Sequence, residues 1–253
     1  MSNDTQTVPP EALPHLAIFT DFDGTLVDLA DTPDGIEVPA TLPLQIEQAA
    51  EKFDHAFAVV TGRMIEDIDR YLGAPPLAVA GSHGAQRRKA DGTLIELPAE
   101  FRNAAEIIAE QLAPLLQAHE GLLLERKDAT VALHFRQLPE LDAACEEAIS
   151  AAVAAVPDFV VVPGKMVFEA RPVGISKGEA VRAFMNEEPF VGRTPIFIGD
   201  DLTDEDGFRA VQELGGVGIK LGPGDTEARM RIADVASVRA LILGLADRET
   251  NIA

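Results

Sequence analysis

Five short apolar runs punctuate the chain: Leu16–Thr20, Ala56–Val60, Leu77–Ala80, Pro195–Ile198 and Val217–Leu221. Each is largely apolar rather than alternating, the pattern of a strand buried on both faces. Between them, apolar residues recur at helical spacing. Thr41 can cap a helix running to about Phe53, with Leu42, Ile46, Ala49, Ala50 and Phe53 on one face. Met64–Leu72, 177–186, 204–213 and a last segment near Val238–Leu245 read as helices in the same way. Strand and helix in alternation predict an α/β fold, with a Rossmann-like parallel sheet covered by helices.

The rhythm breaks in the middle of the chain. His83–Arg88 and Thr93–Leu97 flank Asp91-Gly92, a hairpin turn signal. A helix from about Ala99 to His119 follows, with a kink expected at Pro114. Leu122–Lys127 and Thr130–Arg136 read as paired strands, Glu140–Val156 as a helix, and Phe159–Val162 and Met166–Ala170 as two more strands. The expected organisation is a core of 15–99 and 173–253, split by an inserted α+β domain at 100–172. Hinges are expected near Leu97-Pro98 and Arg171–Gly174, and 1–14 as a loose tail.

Composition narrows this picture. The chain has 253 residues, 47% of them hydrophobic, enough for one large domain or two modest ones. No apolar run is long enough to span a bilayer, and Met1–Pro14 lacks the basic and apolar regions of a signal peptide. Cys145 is the single cysteine, so no intrachain disulfide can form, and a cytoplasmic location is expected. A net charge of −21 argues against nucleic acid and anionic membranes as partners. A phosphorylated substrate would need local positive potential.

Asp21-Phe22-Asp23-Gly24-Thr25 follows the first strand. Carboxylates two residues apart in extended chain point the same way and repel, unless a cation lies between them. Gly24 and Thr25 can bend the chain and offer N–H and hydroxyl donors to an anion. Thr61-Gly62-Arg63 follows the second strand, where the Thr61 hydroxyl can donate to a phosphate or equally cap a helix. Lys177 opens a helix in Ser176-Lys177-Gly178; an anion there would offset its clash with the macrodipole, although a surface lysine is the plainer reading. Gly199-Asp200-Asp201-Leu202-Thr203-Asp204 puts three acids at a strand end, more than one helix cap needs, and suggests a hard-cation site. All four segments fall at C-terminal strand ends or the next helix start, where open α/β sheets bind ligands. Together they hold the parts of a phosphoryl-transfer site with an aspartate nucleophile.

These four segments, in this order and spacing, resemble the motifs of the haloacid dehalogenase superfamily. The resemblance implies Asp21 as nucleophile and Asp23 as acid/base, with Thr61 and Lys177 holding the phosphoryl group. It implies Mg²⁺ held by Asp21, the Asp23 main-chain carbonyl and Asp200, with Asp204 nearby through water or Lys177. Gly81–Ala85, Glu125-Arg126-Lys127, His134-Phe135-Arg136, Lys165 through Glu169 to Pro172, and Pro189–Pro195 are similar to trehalose-6-phosphate phosphatases over about 15–245. That family closes an α+β cap over the sugar, and its members' cap residues matching Glu125, Lys127 and Glu169 contact glucose hydroxyls. The implied substrate site is Thr25, Thr61, Gly62, Arg63, His83, Glu125, Lys127, Arg136, Glu169 and Lys177, and the implied substrate is trehalose 6-phosphate. On the residues alone, Glu125 and Lys127 read as a solvated strand pair, and His83 as a turn residue or part of the core–cap boundary. Gln86 stands where the family often has glutamate, so it is left out of the site. Rival expectations are a related phosphatase for sucrose 6-phosphate or mannosyl-3-phosphoglycerate, a mutase, and a catalytically silent sugar-phosphate-binding domain.

Overall fold

The computed structural model describes residues 15–30, 32, 35–127, 129–164 and 166–249. The expected tail at 1–14 and Lys165 lie outside them. The chain divides into two compact units, 1–95 with 176–253, and 96–175.

The first unit is built on β1 (Leu16–Thr20), α1 (Leu42–Lys52), β2 (Phe57–Val60), α2 (Ile65–Leu72), β3 (Ala78–Gly81), β4 (Gln86–Arg88) and β5 (Leu94–Glu96). The second contains α3 (Ala99–Ala118), β6 (Leu123–Lys127), β7 (Thr130–His134), α4 (Asp142–Ala154), β8 (Phe159–Gly164) and β9 (Val167–Pro172). The chain then returns to the first unit with α5 (Lys177–Met185), β10 (Thr194–Gly199), α6 (Asp204–Glu213), β11 (Val217–Leu221), β12 (Met230–Ile232) and α7 (Val235–Glu249).

The sheet of the first unit runs β12-β11-β10-β1-β2-β3-β4-β5 and is parallel from β12 to β3. β1 is buried along its whole length, and its side chains alternate between two cores. Leu16 and Ile18 join one with Leu42 and Ile46 of α1, Ile68 of α2, and Val238 and Ile242 of α7. Ala17 and Phe19 join the other with Val181 and Phe184 of α5 and Phe208 and Val211 of α6. This double burial explains the largely apolar run of β1 in the sequence.

Local details differ from the expectations. Thr41 adopts an αR conformation and makes no side-chain cap; Pro43 in the first turn already removes one N–H that a cap would serve. Residues 82–84 form a 3-10 turn instead of the start of a strand. α4 is preceded by a separate 3-10 turn at Pro139–Leu141. α3 continues through Pro114 to Ala118. α7 begins before Val238, because the Asp234 carboxylate accepts from Ser237 N–H at 2.7 Å and caps the extra turn.

The second unit is an antiparallel sheet, β6-β7-β9-β8, with its own core. Ile108 and Leu112 of α3 and Ile149 and Val153 of α4 pack with Val131, Leu133, Phe168 and Ala170 of the sheet. Among the described residues no helix is long and apolar enough to cross a membrane.

Candidate active site

β1 delivers Asp21 to the C-terminal edge of the parallel sheet, where its N–H donates to Ile198 of β10 at 2.8 Å. The chain then turns on the buried Phe22, whose carbonyl accepts from the N–H groups of Leu26 and Val27 at 2.9 and 3.1 Å. Gly24 makes this possible: its φ is +74°, and a Cβ there would lie 2.3 Å from an Asp200 oxygen. The turn of β1 and the loop after β10 are therefore in close contact. Thr25 joins them again, its hydroxyl donating to Asp200 Oδ1 at 3.2 Å.

Ser176 caps α5 by accepting from Glu179 N–H at 3.1 Å, which fixes Lys177 at the first helical position. Lys177 is only 2% exposed. Its ammonium donates to Asp21 Oδ1 at 2.8 Å and to Asp204 Oδ1 at 2.7 Å. Burial alone would lower its pKa, but Asp204 and Asp21 outweigh burial and hold it above the usual lysine range. Burial pushes the Asp21 carboxyl up, with Asp204 and Asp201 adding to the rise and Lys177 opposing it.

The three acids after β10 divide their tasks. Asp204 Oδ2 accepts the N–H groups of Asp200 and Asp201, both at 2.9 Å, so its two oxygens are engaged with the loop and with Lys177. Asp201 accepts from the N–H and the hydroxyl of Thr203, both at 2.7 Å. Asp200 carries the bond from Thr25; burial, then Asp204 and Asp201, push its carboxyl up to about 6. Asp21, Asp200 and Asp204 each offer an oxygen within 4.8 Å of the others. Four carboxylates here oppose two buried ammonium groups, Lys177 and Lys220, leaving a surplus of negative charge. A hard cation with oxygen ligands fits that surplus and that donor set.

Lys220 was not foreseen. It sits on β11 in register with Gly199, and its ammonium donates to the Asp200 carbonyl. One charged residue in an apolar strand is the only sequence signal for it.

Thr61 is buried, and its hydroxyl oxygen accepts from Arg63 N–H at 3.2 Å. The Thr61 and Arg63 carbonyls accept from the N–H groups of His83 and Ser82 at 2.9 and 2.8 Å, tying the loops after β2 and β3 together. Ser82 and His83 both have positive φ, and the His83 ring lies against Gly62, where a Cβ would come within 2.7 Å of it. The Arg63 Nε and Nη2 donate to the two Asp23 oxygens, each at 2.7 Å. The Gln86 Oε1 accepts from Ile65 N–H at 3.4 Å at the start of α2.

In the second unit, register aligns Glu125 of β6, Ala132 of β7 and Glu169 of β9 across the sheet. Period-two alternation adds Lys127 and His134 to that face, opposite the one that packs on α3 and α4. Glu125 accepts from Lys127 at 3.5 Å and pairs with His134 Nε2 at 3.1 Å. The His134 bond, opposed by burial and helped by Lys127, holds the Glu125 carboxyl down at about 2. His134 belongs to this cluster though the sequence reading gave it no role. Arg136 is exposed in the turn after β7.

A sequence profile described as trehalose-phosphatase matches residues 19–236. A Sinorhizobium fredii protein named "Probable trehalose-phosphate phosphatase" is 40% identical over 92% of this chain and 89% of its own length. The trehalose-6-phosphate phosphatase of Escherichia coli is 39% identical over 92% of this chain and 87% of its own. A crystal structure of a trehalose-6-phosphate phosphatase related protein superposes with a TM-score of 0.73 at 29% identity, covering 94% of this chain and all of that one. On the extent of these matches, the chain belongs to the trehalose-phosphatase family.

Proposed function

We propose that this protein is a Mg²⁺-dependent phosphatase that hydrolyses trehalose 6-phosphate to trehalose and phosphate through an aspartyl-phosphate on Asp21. The observation that carries the reading is the buried Asp21–Lys177–Asp204 chain beside Asp200, in a chain of this family.

Asp21 attacks phosphorus through a carboxylate oxygen, and the bond from phosphorus to the sugar oxygen breaks. Asp23 gives its proton to that leaving oxygen. In the second step Asp23 takes a proton from water as the water oxygen attacks phosphorus, and the bond from phosphorus to the Asp21 oxygen breaks. Lys177 offsets phosphoryl charge and orients Asp21, and the Thr61 hydroxyl donates to a phosphoryl oxygen. A divalent cation held by Asp21, Asp200 and the Asp23 carbonyl would supply charge neutralisation at the phosphoryl group. Glu125, Lys127 and Glu169 pair sugar hydroxyls, rejecting analogues that leave those charged groups unpartnered. The single cysteine suits a reducing, cytoplasmic setting.

The test is phosphate release from a panel of sugar phosphates with Mg²⁺. Trehalose 6-phosphate should lead, and chelation or Asp21→Asn should abolish turnover. A wide preference for another sugar phosphate overturns the substrate assignment; an active Asp21→Asn overturns the nucleophile.

A further inference from the structure

We infer that Arg63 is a positioning residue for Asp23 and not a ligand of the phosphate or the sugar, the role that family resemblance gave it. The inference rests on reading Asp23 as the group that moves the proton.

The guanidinium meets the Asp23 carboxylate edge to edge, with two N–H···O bonds of 2.7 Å. Such a fork fixes direction as well as distance, because both oxygens are held in the plane of the guanidinium. The pair is sheltered, with Arg63 and Asp23 side chains 12% and 28% exposed. The arginine is itself held at several points. Its Cζ lies 5.2 Å from the Tyr71 ring centre, and Tyr71 stacks on the buried Phe22 at 6.0 Å. Its N–H donates to Thr61 Oγ1, and its carbonyl accepts from Ser82 N–H. Phe22 is the residue between the two aspartates, so Tyr71 supports the arginine and the turn that carries Asp23 together.

Two of the five guanidinium donors, one on Nε and one on Nη2, are committed to Asp23 as a fork, which sets the face of the arginine towards the carboxylate. A residue that aims a proton carrier is already in place. Asp23 has to point first at the leaving oxygen and then at the attacking water. An error of about 1 Å in such a group can cost about a hundredfold in rate. Each carboxylate oxygen has two lone pairs, so the arginine can occupy one on each and leave the other for the transferred proton.

The experiment is a double-mutant cycle on the full chain with Mg²⁺: wild type, Arg63→Met, Asp23→Asn and the double variant, with Arg63→Lys in parallel. Phosphate release from trehalose 6-phosphate is followed, under single-turnover conditions for the slow variants. Arg63→Met should lower kcat by about 10- to 100-fold and leave KM within about threefold of wild type. In the Asp23→Asn background the same change should cost less than about twofold. Arg63→Lys should recover part of the rate, since an ammonium restores one bond but not the fork. If Arg63→Met does not fold, the same cycle is read with Arg63→Lys. A raised KM with kcat intact, or an equal loss with and without the Asp23 carboxylate, overturns the proposal. A fully active Asp23→Asn overturns the reading of Asp23, and the proposal falls with it.

Discussion

Asp200 and Glu125 carry the same functional group and are driven in opposite directions. Asp200 loses solvent and faces Asp204 and Asp201, which push it up to about 6. Glu125 has His134 and Lys127 beside it, which bring it down from 4.5 to about 2 despite partial burial. The sign for Glu125 follows directly: a carboxylate depressed by folding contributes stability above its unfolded value, and that contribution is lost as pH falls towards the folded value. The stability difference between wild type and Glu125→Gln, from urea midpoints, should therefore be present above about pH 4.5 and close towards pH 2. A difference constant across that window would show that the carboxylate is not held by charge. The exposed rim of this pair keeps the effect small at high salt.

Packing between α5 and α6 sets the position of Lys177. Gly178 lets the helices approach so closely that a Cβ would lie 2.5 Å from the Asp206 carbonyl oxygen. Gly178→Ala should force the helices apart, cost about 1–3 kcal/mol in thermal or urea unfolding, and lower kcat, because Lys177 moves with its helix. Unchanged unfolding would show that the contact relaxes elsewhere. The residue pattern made α1 and β1 legible, since Leu42 and Ile46 share one buried helix face and Leu16 to Thr20 are buried along the whole strand. β12 was not foreseen, because three residues with an exposed Arg231 at their centre gain strand structure only from pairing with β11. The acids after β10 were legible as a cluster. Their separate tasks were not, because these depend on which N–H groups and which lysine the folded loop turns towards Asp204. Lys220 was hidden for a similar reason: register with Gly199 gives it its partner.

At the scale of the whole molecule, one unit is continuous in sequence and the other is not. Residues 96–175 hold a complete four-stranded sheet, two helices and a separate core. Expressed alone, this segment should unfold cooperatively on heating, as followed by circular dichroism; a featureless melt would show that it depends on the rest of the chain. The other unit pairs β1 with β2 on one side and β10 on the other. β1 therefore leaves the ribosome before the insert, yet one of its neighbours, β10, is translated after the whole insert. The segment 96–175 can organise while the strand that leads to Asp21 still presents an unpaired, largely apolar edge. Chaperone dependence in the nascent chain should thus concentrate on Leu16–Thr20, and slowed translation between 96 and 194 should prolong the interval in which that edge is exposed.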